Sequence, residues 1–130
     1  MFSVQVRDHV MVAHSLAGEA FGPAQRLHGA TFVVDAAFLA ETLNADNMVV
    51  DIGMATEALK AVLSPLAYRN LDDVFPGEIT TTEFLCRHVW QGLAASIRAG
   101  GLGAAGNLSG LEITLHESHV ARASYRAALS

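Results

Sequence analysis

A single cysteine, Cys86, is all the sulfhydryl chemistry the 130-residue sequence holds. That excludes an internal disulfide and fits a reducing compartment, so a cytoplasmic location is expected. Charge is also scarce. Asp, Glu, Lys and Arg make up 16% of the chain, against about 25% in average proteins. Eight Lys and Arg face thirteen Asp and Glu, a formal net charge of −5. A nucleic-acid footprint needs a basic patch or stripe, and a polybasic membrane dock needs clustered cations; neither is expected here. Long apolar runs are missing too. Mean hydropathy is +0.33, yet no stretch approaches the roughly 18 residues a membrane span requires. The longest uncharged stretch, Ala99 to Leu111, carries five glycines. The opening residues MFSVQVRDHV mix acid and base without an apolar centre, which does not read as a secretion signal.

What is abundant is apolar side chain: 52% of the residues. A chain of one-domain length with so much apolar and so little charged surface is expected to cover part of itself with further copies. The pattern is that of an α+β domain. Residues 2–14 alternate, with Phe2, Val4, Val6, Val10, Val12 and His14 in one phase, which predicts a half-buried strand. Residues 15–26 hold two glycines and a proline and read as a loop. Leu27 to Phe38 predicts a second strand, with His28, Ala30, Phe32, Val34 and Phe38 on one face. Asp51 can cap a helix in which Ile52, Ala55, Leu59 and Val62 recur at helical spacing and which Pro65 limits. Residues 66–79 read as a loop with Asp72 and Asp73 as solvated acids. Thr80 to Thr82 offer a second cap, with Glu83 as a capping-box acid. Leu85, Val89, Leu93 and Ile97 then step along a second helix, with Cys86 and Trp90 as core or interface. Leu111–Leu115 and Val120–Leu129 read as a closing hairpin. The order is β-β-α-α-β-β, and residues 1–130 form one domain in this reading.

This order resembles one family when taken with five short motifs: AHSL at 13–16, LHG at 27–29, NMVVDI at 47–52, TTTE at 80–83 and HES at 116–118. The family comprises 6-pyruvoyltetrahydropterin synthase and 6-carboxytetrahydropterin synthase. The resemblance implies the T-fold: a four-stranded antiparallel sheet with two helices on one face. It also implies edge-to-edge closure of three sheets into a barrel, and two stacked rings in a homohexamer. Closure would bury sheet edges that are otherwise adhesive.

The resemblance also implies a chemical template that this sequence departs from. Family enzymes hold a catalytic zinc through one histidine after the first strand, here His14, and two in an H-G-H motif. That motif reads His28-Gly29-Ala30 here, so the third ligand is gone. Residues 28 and 30 point to one side of a strand, which explains the spacing, and catalytic zinc sites need three protein ligands plus an open position. His9 or His119 could supply a third nitrogen. The family cysteine falls at Ala24, and its Asp-His pair falls at Ala67 and Tyr68. A phenol with an ordinary pKa near 10 is a poor base at neutral pH.

The family's pterin grip is retained: Thr81-Thr82-Glu83 and Glu117 match. A carboxylate facing the paired N–H groups of a 2-amino-4-oxo ring makes a bidentate, charge-assisted contact. The expectation is therefore a protein that binds a pterin-like or purine-like small molecule, with His14 and His28 vestigial, no cofactor and no synthase reaction. The alternative is a zinc-dependent lyase on dihydroneopterin triphosphate with recruited ligands, for which Arg26 and Arg69 would be the cations at the rim. A purely structural oligomer is the third reading.

Overall fold

A computed structural model describes residues 1–129. Strands β1 (Phe2–His14), β2 (His28–Ala40), β3 (Leu108–His116) and β4 (Arg122–Ala128) form one antiparallel sheet in the order β1-β2-β3-β4. Between β2 and β3 run helices α1 (Ile52–Leu63), α2 (Leu71–Val74) and α3 (Thr82–Arg98). The expected α+β arrangement, a four-stranded antiparallel sheet with its helices on one face, is what the chain forms.

Alternation sets the two faces. Val6, Val10 and Val12 of β1 point with Phe32, Val34, Ala36 and Phe38 of β2 toward the helices, and all are buried. Leu111, Ile113 and Leu115 of β3 continue that face, because Phe38 pairs with Leu111 and Val34 with Leu115. Strand β2 begins one residue later than the sequence suggests, since Leu27 stands 61% exposed. It also runs two residues further, to Ala40. The reason is its central position, with β1 on one side and β3 on the other, so Leu39 and Ala40 are paired and buried.

Asp51 caps α1 by accepting from the Met54 amide at 3.0 Å. Ile52 does not join the apolar stripe of that helix: it is 60% exposed, at the first helical position. Pro65 does not stop the chain abruptly either. It sits early in a one-turn 3-10 extension, Ser64–Leu66, where its missing N–H has no partner to lose. Segment 66–79 contains the short helix α2, capped by the Asn70 side chain, which accepts from Asp72 N at 3.0 Å.

Helix α3 buries Leu85, Cys86, Val89, Trp90, Leu93 and Ala94 against β3 and β4. The Trp90 indole donates to the Leu111 carbonyl at 2.7 Å, and Cys86 is buried, its thiol pushed up to about 11 by desolvation. No helix among the described residues is long and apolar enough to cross a membrane.

Candidate functional site

Antiparallel pairing brings the end of β1, the start of β2 and the end of β3 to one rim of the sheet. His14 and His28 are direct cross-strand partners on the helix-facing side. Their rings meet edge to face, with centroids 4.6 Å apart. His14 is buried, and its Nδ1 lies 3.0 Å from the Thr80 carbonyl oxygen and 3.1 Å from the Thr80 hydroxyl. A carbonyl only accepts, so Nδ1–H donates and the lone pair of the neutral ring sits on Nε2. His28 is fixed the same way, with Nδ1 donating to the Arg26 carbonyl at 2.8 Å.

Burial lowers the His14 pKa, and the neighbouring His28 lowers it further; the Thr80 contact, Asp72 and Glu117 oppose the shift. Burial likewise lowers that of His88, which packs against Phe75. Both rings are therefore held neutral in the folded chain and take up a proton more readily once it unfolds. Stability is then complete above the ordinary histidine range and falls as the pH drops below it. Each group can contribute a slope of at most about 1.4 kcal/mol per pH unit. His14→Gln and His88→Leu should each flatten the decline of melting temperature between pH 7 and pH 5. A wild-type slope retained in both variants would place the acid sensitivity elsewhere.

Ala30 lies two residues along β2 on the same face, opposite Val12. A three-histidine set would need an imidazole there. Among the described residues no group of three His, Cys, Asp or Glu side chains is placed to hold a metal ion. His14 and His28 supply two oriented nitrogens, so the residues present do not fit the three-ligand zinc site that the resemblance implies. His9 is 71% exposed beside Asp8, on the opposite face of β1 from His14. His119 lies in the exposed turn after β3.

Two residues of the rim have roles other than those expected from the sequence, which offers Thr80 only as part of a helix cap. Thr80, fully buried, is the one that sets the His14 tautomer. Asp72, read from the sequence as a solvated acid, instead accepts from the Ser15 amide at 3.1 Å and the Ser15 hydroxyl at 2.6 Å. Those two bonds hold its carboxyl below the usual range. They clamp the exit of β1 directly after His14. The link spans 57 residues, which no local pattern reveals.

Thr81 caps α3, its hydroxyl accepting from Phe84 N at 3.1 Å. The capping-box expectation fails for Glu83: it occupies the second position of the helix, one short of the box, and the Thr81 amide bonds to Ile79 O instead. Thr82 opens α3 half-buried. Glu117 is exposed one residue past β3, where its amide and that of Ser118 both donate to Ala121 O. His116 pairs with Val33, so continuing the pleat puts Glu117 on the His14 and His28 side.

The sequence profile described as 6-pyruvoyl tetrahydropterin synthase matches residues 3–128. The chain belongs to the 6-pyruvoyl tetrahydropterin synthase family. The fold agrees. The chain is similar to the Caenorhabditis elegans 6-pyruvoyl tetrahydropterin synthase structure, with 20% identity, TM-score 0.80, and 97% of this chain and 95% of that one covered. The Plasmodium vivax synthase gives 16% identity and TM-score 0.78, covering 98% and 99%. The Plasmodium falciparum synthase gives 17% and 0.77, covering 97% and 98%. No curated protein sequence matches significantly. Identities this low make the chain a divergent member of the synthase family.

Three further positions that depart from the synthase template, besides Ala30, lie in loop segments. Ala24 lies in the 3-10 segment Glu19–Gln25, its carbonyl accepting from the Leu16 amide at 2.9 Å. Ala67 is half-buried against the core. Tyr68 is 83% exposed, with φ of 59°. Its amide donates to Met11 O, and the Arg69 carbonyl accepts from Ala13 N, so residues 68–70 cover one end of the free edge of β1.

Proposed function

We propose that this chain binds a pterin-like or purine-like 2-amino-4-oxo heterocycle at the rim of the sheet and does not run the synthase reaction. The observation that carries this reading is the position of Glu117, on the same side of the rim as the buried His14 and its partner His28. Its carboxylate is exposed and takes no part in the turn that holds it, whose contacts are made by backbone amides. Thr81, Thr82 and Glu83 stand at the start of α3, where helix N–H groups add donors for a carbonyl on the ring.

Calorimetric titration of neopterin, biopterin and guanine into wild type and Glu117→Gln tests the reading. The variant keeps the shape and exchanges one acceptor for a donor. It should lose about 1.5–3 kcal/mol of binding, the range for a hydrogen bond to a charged group. Equal affinities would place the ring elsewhere. No binding up to millimolar ligand would leave the purely structural oligomer.

One observation favours the second reading, a zinc-dependent lyase. Both histidines have Nδ1–H tied to a backbone carbonyl, the arrangement that presents Nε2 to a metal. In addition, a glutamate of the Plasmodium vivax synthase is described as a catalytic residue. Elemental analysis separates the readings: stoichiometric zinc that is lost in His14→Ala would establish a recruited third ligand. The assembly we propose is a homohexamer of T-fold rings joined through the free edges of β1 and β4. A stable 13.7 kDa species in light scattering at micromolar concentration would contradict it.

A further inference from the structure

A buried carboxylate sits on the sheet face turned away from the helices. Asp35, midway along β2, is 5% exposed. Taking an ionised carboxylate out of water is costly unless well-placed donors replace the water. Its cross-strand partner Arg7 supplies two, Nε to Oδ1 at 2.6 Å and Nη2 to Oδ2 at 2.9 Å. That bidentate pair already engages both oxygens. A third donor comes from β3, where His116 Nε2 lies 2.8 Å from the same Oδ2. An ionised carboxylate only accepts, so Nε2 carries a proton. The Arg7 hydrogen bonds, helped by His116, hold the Asp35 carboxyl below its usual range against the effect of burial.

The third donor stands where the ladder stops. His116 is the last residue of β3, paired with Val33 of β2 and Arg122 of β4. Asp35 itself pairs with Thr114, so the side-chain bond runs diagonally, from the final rung back to the preceding one on that face. Past His116 the backbone is held differently: the amides of Glu117 and Ser118 share one acceptor, Ala121 O, at 3.1 and 3.3 Å. Strand ends with so few bonds open at little cost in free energy. Glu117 follows His116 directly, so the two side chains point to opposite faces while one peptide unit joins them. A bond made on the open face therefore steadies the backbone from which Glu117 projects on the other.

We propose that Asp35, acting through His116, is a positioning residue for Glu117: it fixes the end of β3 so that the carboxylate is in place before a ring arrives. This role rests on the Glu117 reading and adds what readies that carboxylate. A group ordered in advance loses less conformational freedom on binding. His116→Thr removes the bond and keeps a strand-forming residue, and His116→Leu serves in its place if that variant does not fold. His116→Gln can still donate an amide N–H to Asp35. Arg7 and Asp35 stay paired in all three, so no buried charge is left alone. Amide hydrogen exchange of the free protein and calorimetric titration of guanine compare wild type, these variants, Glu117→Ala and the double variant His116→Thr with Glu117→Ala. In His116→Thr the Glu117 and Ser118 amides should exchange about tenfold faster. Guanine affinity should fall about fivefold, the worth of one hydrogen bond. His116→Gln should restore both to within about twofold of wild type. With Glu117→Ala already present, His116→Thr should change guanine affinity less than about twofold, because no carboxylate is left to position. The role is overturned if His116→Thr leaves guanine affinity unchanged, or lowers it equally with and without the Glu117 side chain. In either case a loss in Glu117→Ala leaves the Glu117 reading standing. If guanine does not bind wild type, the Glu117 reading fails and the positioning role fails with it.

Discussion

Dihydroneopterin triphosphate should pass through this protein without steady turnover at a rate typical of the synthases. A proton removed from or returned to carbon needs a positioned base, worth about 10²–10⁴-fold for each transfer. The template places that base and its partners at positions occupied here by Ala24, Ala67 and Tyr68. The first two are methyl groups. Tyr68 is 83% exposed at the edge of β1, and its backbone is spent on covering that edge. His14, the best-buried titratable group of the rim, is neutral and oriented, but Ala30 leaves it with one imidazole neighbour rather than two. The measurement is product formation at saturating substrate, with and without added zinc. Turnover that requires zinc and disappears in His14→Ala would establish the lyase reading and remove the proposal of a non-catalytic binder.

Phe38→Ala should destabilise the protein by about 3–5 kcal/mol, the range for deleting a fully buried aromatic ring. Phe38 is 0% exposed at the centre of the sheet, opposite Val4 on one side and Leu111 on the other. Neither neighbouring strand can close the resulting void, because each is held in register by its ladder with β2. For a domain of this size the melting temperature should drop by roughly 10–20 °C, measured at fixed protein concentration because assembly adds to apparent stability. Phe2→Ala, at a position 49% exposed in the single chain, is the matching comparison. A small effect there fits a free edge, and a large one fits an edge covered by a second copy. A loss under about 1.5 kcal/mol for Phe38→Ala would mean that the core repacks around the gap.

Much of this was legible in the residue order because it is governed by local periodicity. Alternation along residues 2–14 placed β1 and its buried phase, and Asp51 and Thr81 marked helix starts because a side-chain oxygen three residues before an orphan amide is a local device. The same alternation put His14 and His28 in the inward phase of their strands. Where the sequence reading slipped, the decision belonged to partners distant in the chain. Strand β2 outruns its own pattern because β1 and β3 flank it. Asp72 is a clamp rather than a solvated acid because Ser15 arrives beside it. Glu83 is a local exception: the cap falls at Thr81, one residue too late for the box. The sequence by itself determined the family, the strand and helix order, and which synthase residues are missing, since these depend on residue identity and short spacings. Only the tertiary structure decided that Thr80 and the Arg26 carbonyl turn two imidazoles the same way, and that Arg7, Asp35 and His116 share one carboxylate across three strands. The bonds of Asp35 to Arg7 and His116, 28 and 81 residues away in the chain, follow from sheet register, which the packing of the whole core fixes.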